Sequence, residues 1–256
     1  MFRQNSRTLK FAFLVTLTVL CASMITNVAL YKELLKYYKL LYAAELDPLG
    51  LSYFQSDNNL QGNNKPIVIF FGDSRAAQWI APQTDDFIFV NRGIGNQTSA
   101  QVLLRFEEHV KALHPDVVIV QVCINDLKTI PLFPERKDEI IGTCEANIKS
   151  ILQKSLELNS TVILTTVFPT SGSVPLTRQL VWSDDVYDGI TEVNDFILNY
   201  HDDGVIVFDS GKILSNPEGN TKSEYVYDLL HLNASGYYAL NMELIQILEG
   251  FKTTIP

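Results

Sequence analysis

The stretch IVIFFGDSRAAQW, residues 67–79, sets the reading of the whole chain. Five apolar residues, 67–71, run straight into Gly72-Asp73-Ser74, and helix-compatible residues follow over 75–79. A short unbroken run of β-branched and aromatic residues is the pattern of a strand buried on both faces. What comes after it admits two readings. One is a turn whose Asp73 or Ser74 caps the next helix. The other is a serine nucleophile at the carboxyl end of a central strand, where open α/β sheets hold their ligands.

Working outward, the same alternation recurs. Further short apolar runs lie at 87–91, 117–122, 162–167 and 205–208, and helical patterns fall at 99–113, 136–158, 184–200 and 234–251. Strands alternating with helices predict a three-layer α/β/α fold: a doubly wound parallel sheet of about five strands, covered on both faces. Residues 168–182 form a long insertion after the fourth run, and loops of that length are often functional.

The N-terminal side reads differently. Arg3, Arg7 and Lys10 precede residues 11–30, which carry no charge. That length matches the ~20 residues a membrane-spanning helix needs. A cleavable signal peptide is the rival reading, but neither Ala22-Ser23-Met24 nor Asn27-Val28-Ala29 makes a good A-x-A site. Residues 1–30 are therefore expected to be a cytoplasmic tail and transmembrane anchor, with the main domain across the membrane. Residues 31–65 are expected to be a linker: an amphipathic helix over 31–45, then the polar run SDNNLQGNNK at 56–65 marking the domain boundary. The catalytic domain would span 66–256.

Composition narrows the partners. Of 256 residues 46% are hydrophobic and the formal net charge is −9, with no basic cluster outside the N-terminal tail. Nucleic acid is not an expected partner. No Cys/His cluster has zinc-ligand spacing, so no metal and no cofactor is expected. Of the three cysteines, Cys21 lies in the apolar segment; Cys123 and Cys144 could pair in an oxidising compartment, but two cysteines make no framework, and buried free thiols are the favoured reading.

The residues after each run carry the chemistry. Gly72-Asp73-Ser74 follow the first, Gly93 to Thr98 the second, Cys123-Ile124-Asn125-Asp126 the third, and Asp228-Leu229-Leu230-His231 precede the last helix. In a parallel sheet these fall on one rim. They supply a hydroxyl, an amide, a carboxylate and an imidazole, the parts that acyl transfer by serine requires. Separately each has an ordinary reading, as a cap or a satisfied core group. His109, His114 and His201 set the background, lying on helices or turns without a serine-bearing motif. Co-occurrence in the required order favours catalysis.

These stretches resemble the blocks of the SGNH hydrolases, the GDSL lipase/esterase superfamily. Gly72-Asp73-Ser74 is similar to the first block, NRGIGNQTS (91–99) to the second, Cys123-Ile124-Asn125-Asp126 to the third (G-x-N-D), and DLLHLNASGY (228–237) to the fifth. The resemblance covers roughly residues 66–251. It implies a flavodoxin-like α/β/α domain with Ser74 as nucleophile, His231 as base and Asp228 orienting the base. It implies oxyanion donors from the Ser74 N–H, a second-block N–H at Gly95 or Asn96, and the Asn125 amide. Three departures stand out. Cys123 replaces the third-block glycine, the second-block glycine aligns with Asn96, and Arg75 replaces the Leu of many members. A cation at 75 could attract an anionic substrate or pair with a surface acid.

The expectation is a membrane-anchored serine esterase acting on a small-molecule, glycan or lipid ester through an acyl-serine intermediate. An acyltransferase passing the acyl group to a glycan, and a non-catalytic binding module of the same fold, are the alternatives. Secretion after signal cleavage is the alternative location.

Overall fold

The computed structural model describes residues 6–54 and 64–252. The chain divides into two compact units, Met1–Pro48 and Leu49–Pro256.

The first unit is a single helix, α1 (Ser6–Leu46). It is long and apolar enough to cross a membrane, a test that a signal sequence also passes. At 1.5 Å per residue it runs ~60 Å, about twice a bilayer's hydrocarbon core. Four polar residues of its uncharged stretch hide their donors: Thr16, Thr18, Thr26 and Asn27 each bond back to the carbonyl four residues earlier. That local satisfaction lowers the cost of placing such groups in lipid. The amphipathic helix expected at 31–45 is not separate but the continuation of α1.

The second unit begins earlier than the boundary expected at 56–65, most of which lies outside the described residues. Gln97 donates from Nε2 to the Leu49 carbonyl (2.8 Å), and the Arg92 guanidinium lies 4.5 Å from the Phe54 ring centre. Residues 49–54 thus belong with the larger unit rather than with a linker. Apolar periodicity could not find them, because a guanidinium over a ring and a side-chain bond to a carbonyl leave no periodic trace.

Five parallel strands form the sheet: β1 (Ile67–Gly72), β2 (Ile88–Gly93), β3 (Val117–Gln121), β4 (Thr161–Thr165) and β5 (Val205–Phe208), in the order β2-β1-β3-β4-β5. This is the flavodoxin-like order, and its switch point lies between β1 and β3. Between the strands run α2 (Ser74–Ala77), α3 (Ser99–Leu104), α4 (Phe106–His109), α5 (Ile124–Leu127), α6 (Lys137–Leu156) and α7 (Asp184–Leu198); α8 (Ser210–Leu214) and α9 (Ala234–Lys252) follow β5. Alternation along each strand divides the core. Ile69, Phe71, Val118 and Val120 pack under Val102, Phe106, Ile148 and Val193 of α3, α4, α6 and α7. Val68, Phe70, Ile119 and Ile163 face Leu240, Leu244 and Leu248 of α9. Burial of both faces is why these strands read as unbroken apolar runs.

Two expectations need correction. The helix expected over 99–113 is broken at Arg105, which separates α3 from α4, and a 3-10 turn at Lys111–Leu113 follows. Arg105 is fully buried and turns inward to loop carbonyls, as described below. Cys123 and Cys144 are not free thiols but a disulfide with Cα atoms 5.9 Å apart, joining the end of β3 to α6. At a sequence separation of 21, spacing could not show that α6 packs back over that turn.

Candidate active site

The register levels the first three strands at one rim. Gly72 pairs with Gly93 of β2 and Gln121 of β3. The backbones approach so closely there that a Cβ on Gly72 would collide with the Gln121 carbonyl, and one on Gly93 with the backbone of Ala77. Only glycine lets α2 leave the sheet at this height.

Asp73 caps α2, accepting the Arg75 N–H on Oδ1 (2.9 Å). The capping reading of Asp73 is therefore correct, and it is compatible with Ser74 presenting its hydroxyl. Burial pushes the Asp73 carboxyl up to about 6, against the opposing pull of the Arg75 charge. Ser74, half-buried, opens α2, so its N–H has no intrahelical acceptor.

Ser74 Oγ lies 2.9 Å from His231 Nε2. On the other side of the ring, Nδ1 lies 2.9 Å from both oxygens of Asp228. Asp228 Oδ1 also accepts the N–H groups of Leu230 (2.8 Å) and His231 (2.9 Å), which curls the loop so that carboxylate and imidazole meet three residues apart. Partial burial works against the Asp228 charge. The bonds from the His231 ring and from those two N–H groups outweigh it and hold the carboxyl below its usual range. Asn233 then caps the start of α9, its Oδ1 accepting from Ser235 (2.9 Å) and Gly236 (3.2 Å).

The oxyanion candidates lie on the loops after β2 and β3. Gly95 and Asn96 are exposed, and Asn96 takes the left-handed conformation at φ 64°. A Cβ placed on Gly95 would lie 3.9 Å from the Ser74 Cβ, so the Gly95 backbone stands next to Ser74. Asn125 is buried, and its Nδ2 donates to the Gln97 carbonyl (2.9 Å). An amide nitrogen carries two hydrogens, which leaves one for an oxyanion. Asn125 lies in the four-residue α5, whose N-cap Cys123 sits at φ 86°. A left-handed residue there matches the glycine that the third block ordinarily carries.

Residues outside the expected catalytic set hold these loops. Asp126 accepts both the N–H (2.8 Å) and the hydroxyl (2.7 Å) of Ser99, tying the end of β3 to α3. Burial pushes its carboxyl up, against those two bonds. Arg105 donates to the Gly72 carbonyl (2.8 Å), to the Arg92 carbonyl (2.8 Å) and to Gln97 Oε1, so one guanidinium spans the first and second loops. Its position beside Val102 and Phe106 on an inward helical stripe was a readable signal, since a cation there needs buried acceptors. His109, read as background, is buried and contacts Arg105 Nη1 at 3.2 Å. Arg75 follows neither reading offered for it: it is fully buried and faces backbone carbonyls, not the cleft and not a surface acid.

The family model described as "GDSL-like Lipase/Acylhydrolase family" matches residues 61–239. Among solved structures, the chain is similar to a GDSL-like lipase from Bacteroides thetaiotaomicron (TM-score 0.58, 21% identity, 79% of this chain and 98% of that one). It is also similar to a lipase/acylhydrolase from Enterococcus faecalis (TM-score 0.53, 19% identity, 73% and 96%) and to the acetyl xylan esterase AlAXEase (TM-score 0.51, 21% identity, 70% and 98%). At these identities the likeness is one of fold. No curated protein matches the chain significantly.

Proposed function

The chain belongs to the GDSL-like lipase/acylhydrolase family, and on that premise we propose that it is a serine ester hydrolase with Ser74, His231 and Asp228 as its catalytic residues. The observation that carries this reading is the continuous chain of contacts from Ser74 Oγ through both ring nitrogens of His231 to Asp228, each 2.9 Å. Nucleophile and base stand within the ~2.6–3.2 Å that proton transfer needs.

The steps follow from this order. Ser74 Oγ attacks the ester carbonyl carbon while His231 Nε2 takes its proton. Asp228 holds Nδ1–H and stabilises the imidazolium that forms. The developing oxyanion is met by the N–H of Ser74, the N–H of Gly95 and the free hydrogen of the Asn125 amide. Collapse breaks the carbon–oxygen bond to the alcohol, which leaves with the proton from His231. Water, deprotonated by the same imidazole, then releases the acid and restores Ser74. Of the two second-block candidates, Gly95 is the donor we assign, because its backbone adjoins Ser74.

The substrate we assign is a carboxylic ester on a glycan or lipid, such as an O-acetyl group. The likeness to an acetyl xylan esterase and to lipases supports this choice at the level of reaction class. We further propose that α1 anchors the protein as a single span, with the catalytic domain on the far side of the membrane from Arg3, Arg7 and Lys10. The Cys123–Cys144 disulfide supports that side, since such bonds persist in oxidising compartments.

A fluorophosphonate probe tests the mechanism. A stable adduct on Ser74, located by peptide mass spectrometry, is expected. Ser74→Ala should lose the adduct and lower turnover of p-nitrophenyl acetate by ~10⁴-fold or more, with unchanged circular dichroism. Parental turnover in a folded Ser74→Ala protein would overturn the assignment.

A further inference from the structure

Arg75, next in sequence to Ser74, reaches the residue before His231. Its Nε donates to the Leu230 carbonyl (2.9 Å) and its Nη1 to the Phe168 carbonyl (3.0 Å), with the guanidinium carbon 5.5 Å from the Phe168 ring centre. The Leu230 carbonyl belongs to the peptide unit that leads into His231. The N–H of that same unit donates to Asp228 Oδ1 (2.9 Å). The peptide is held at both polar ends, by the carboxylate that orients the imidazole and by the side chain adjoining Ser74. Arg75 is itself fixed: its N–H donates to Asp73 Oδ1 (2.9 Å), and its carbonyl accepts from the Tyr237 hydroxyl (3.0 Å).

We propose, resting on the roles assigned above to Ser74 and His231, that Arg75 is a positioning residue: by clamping the Leu230–His231 peptide it sets the distance between nucleophile and base. The fully buried side chain reaches no substrate. Its effect passes through the backbone to the imidazole.

The choice of residue fits this task. Burying a cation is costly unless its donors are met, so space-filling alone would favour an apolar side chain. A planar guanidinium offers several donors in a fixed fork and can address two carbonyls at once. Leucine at this position could bind neither carbonyl, and lysine, a point charge, could not hold both in that geometry. Misplacement by ~1 Å can cost ~10²-fold in rate, so a lost clamp should be visible in turnover.

The test compares the full-length parent with Arg75→Leu and Arg75→Lys. The readouts are kcat and KM for p-nitrophenyl acetate, the rate of fluorophosphonate labelling, the melting curve, and the downfield proton signal of His231 Nδ1–H by NMR. For Arg75→Leu, kcat and labelling should fall together by ~10–10²-fold with little change in KM, and the His231 signal should move or broaden. Arg75→Lys should be intermediate. A variant folded at the assay temperature with parental kcat, labelling rate and His231 signal would reduce Arg75 to packing and overturn the proposal. If Arg75→Leu does not fold, Arg75→Lys is judged by the same criteria. A parental Ser74 that takes no label would instead overturn the hydrolase reading, and the His231 signal would then still decide whether Arg75 holds the ring.

Discussion

At the scale of single residues, one side chain here often serves two loops. Asn125 is the clearest case, because the amide we propose as an oxyanion donor also donates to the Gln97 carbonyl (2.9 Å). Asn125→Ala should therefore lower kcat by ~10²–10³-fold with little change in KM, the pattern of a contact made only in the transition state. It should also lower stability by about 1–3 kcal/mol, since the buried Gln97 carbonyl loses its donor. Kinetics and a melting curve on one preparation check both, and near-parental kcat would remove Asn125 from the oxyanion set. The residues proposed to react could be picked out from the sequence: Ser74 follows the first strand, and Asp228 and His231 precede the last helix, in the order acyl transfer needs. The residues that hold them were not. A sequence shows that Arg75 adjoins Ser74, but whether its side chain turns outward to water or inward to Leu230 depends on the β1–β3 rim and α9 closing around it.

At the scale of elements, strand and helix order was readable because both faces of the sheet are buried and each strand announces itself as an apolar run. What the pattern could not show is how one layer grips another. The Cys123–Cys144 link is such a grip, holding the β3–α5 turn to α6. Cys123 sits at φ 86°, a region costly for a residue with a Cβ. A crosslink closing a loop of this length is worth about 3 kcal/mol in the chain-entropy account. Cys144→Ala should thus destabilise the domain by about that amount in a denaturant titration of the oxidised protein. Treating the parent with a reducing dithiol should give a similar loss, and Cys144→Ala should show no further response to it. An unchanged midpoint in Cys144→Ala would mean that the link adds nothing to stability.

At the scale of the whole molecule, the larger compact unit starts at Leu49, and residues 49–54 reach the second-block loop through Gln97 and Arg92. A chain beginning at Leu49 should be soluble without detergent, because the apolar helix is gone, and should retain esterase activity. A chain beginning at Asn64 loses the Leu49 carbonyl and the Phe54 ring. It should be less stable by about 1–3 kcal/mol, measured as a lower melting temperature. Equal melting curves for the two would make 49–54 a passive tether. The disulfide, finally, turns the protein into a record of where it matured. The chain has three cysteines, of which only Cys21 is unpaired. A domain completed where thiols are kept reduced would present three reactive sulfurs after denaturation, and one completed beyond the membrane would present a single one. Counting alkylated sulfurs on protein denatured straight from cells therefore reads topology from chemistry, with no fractionation.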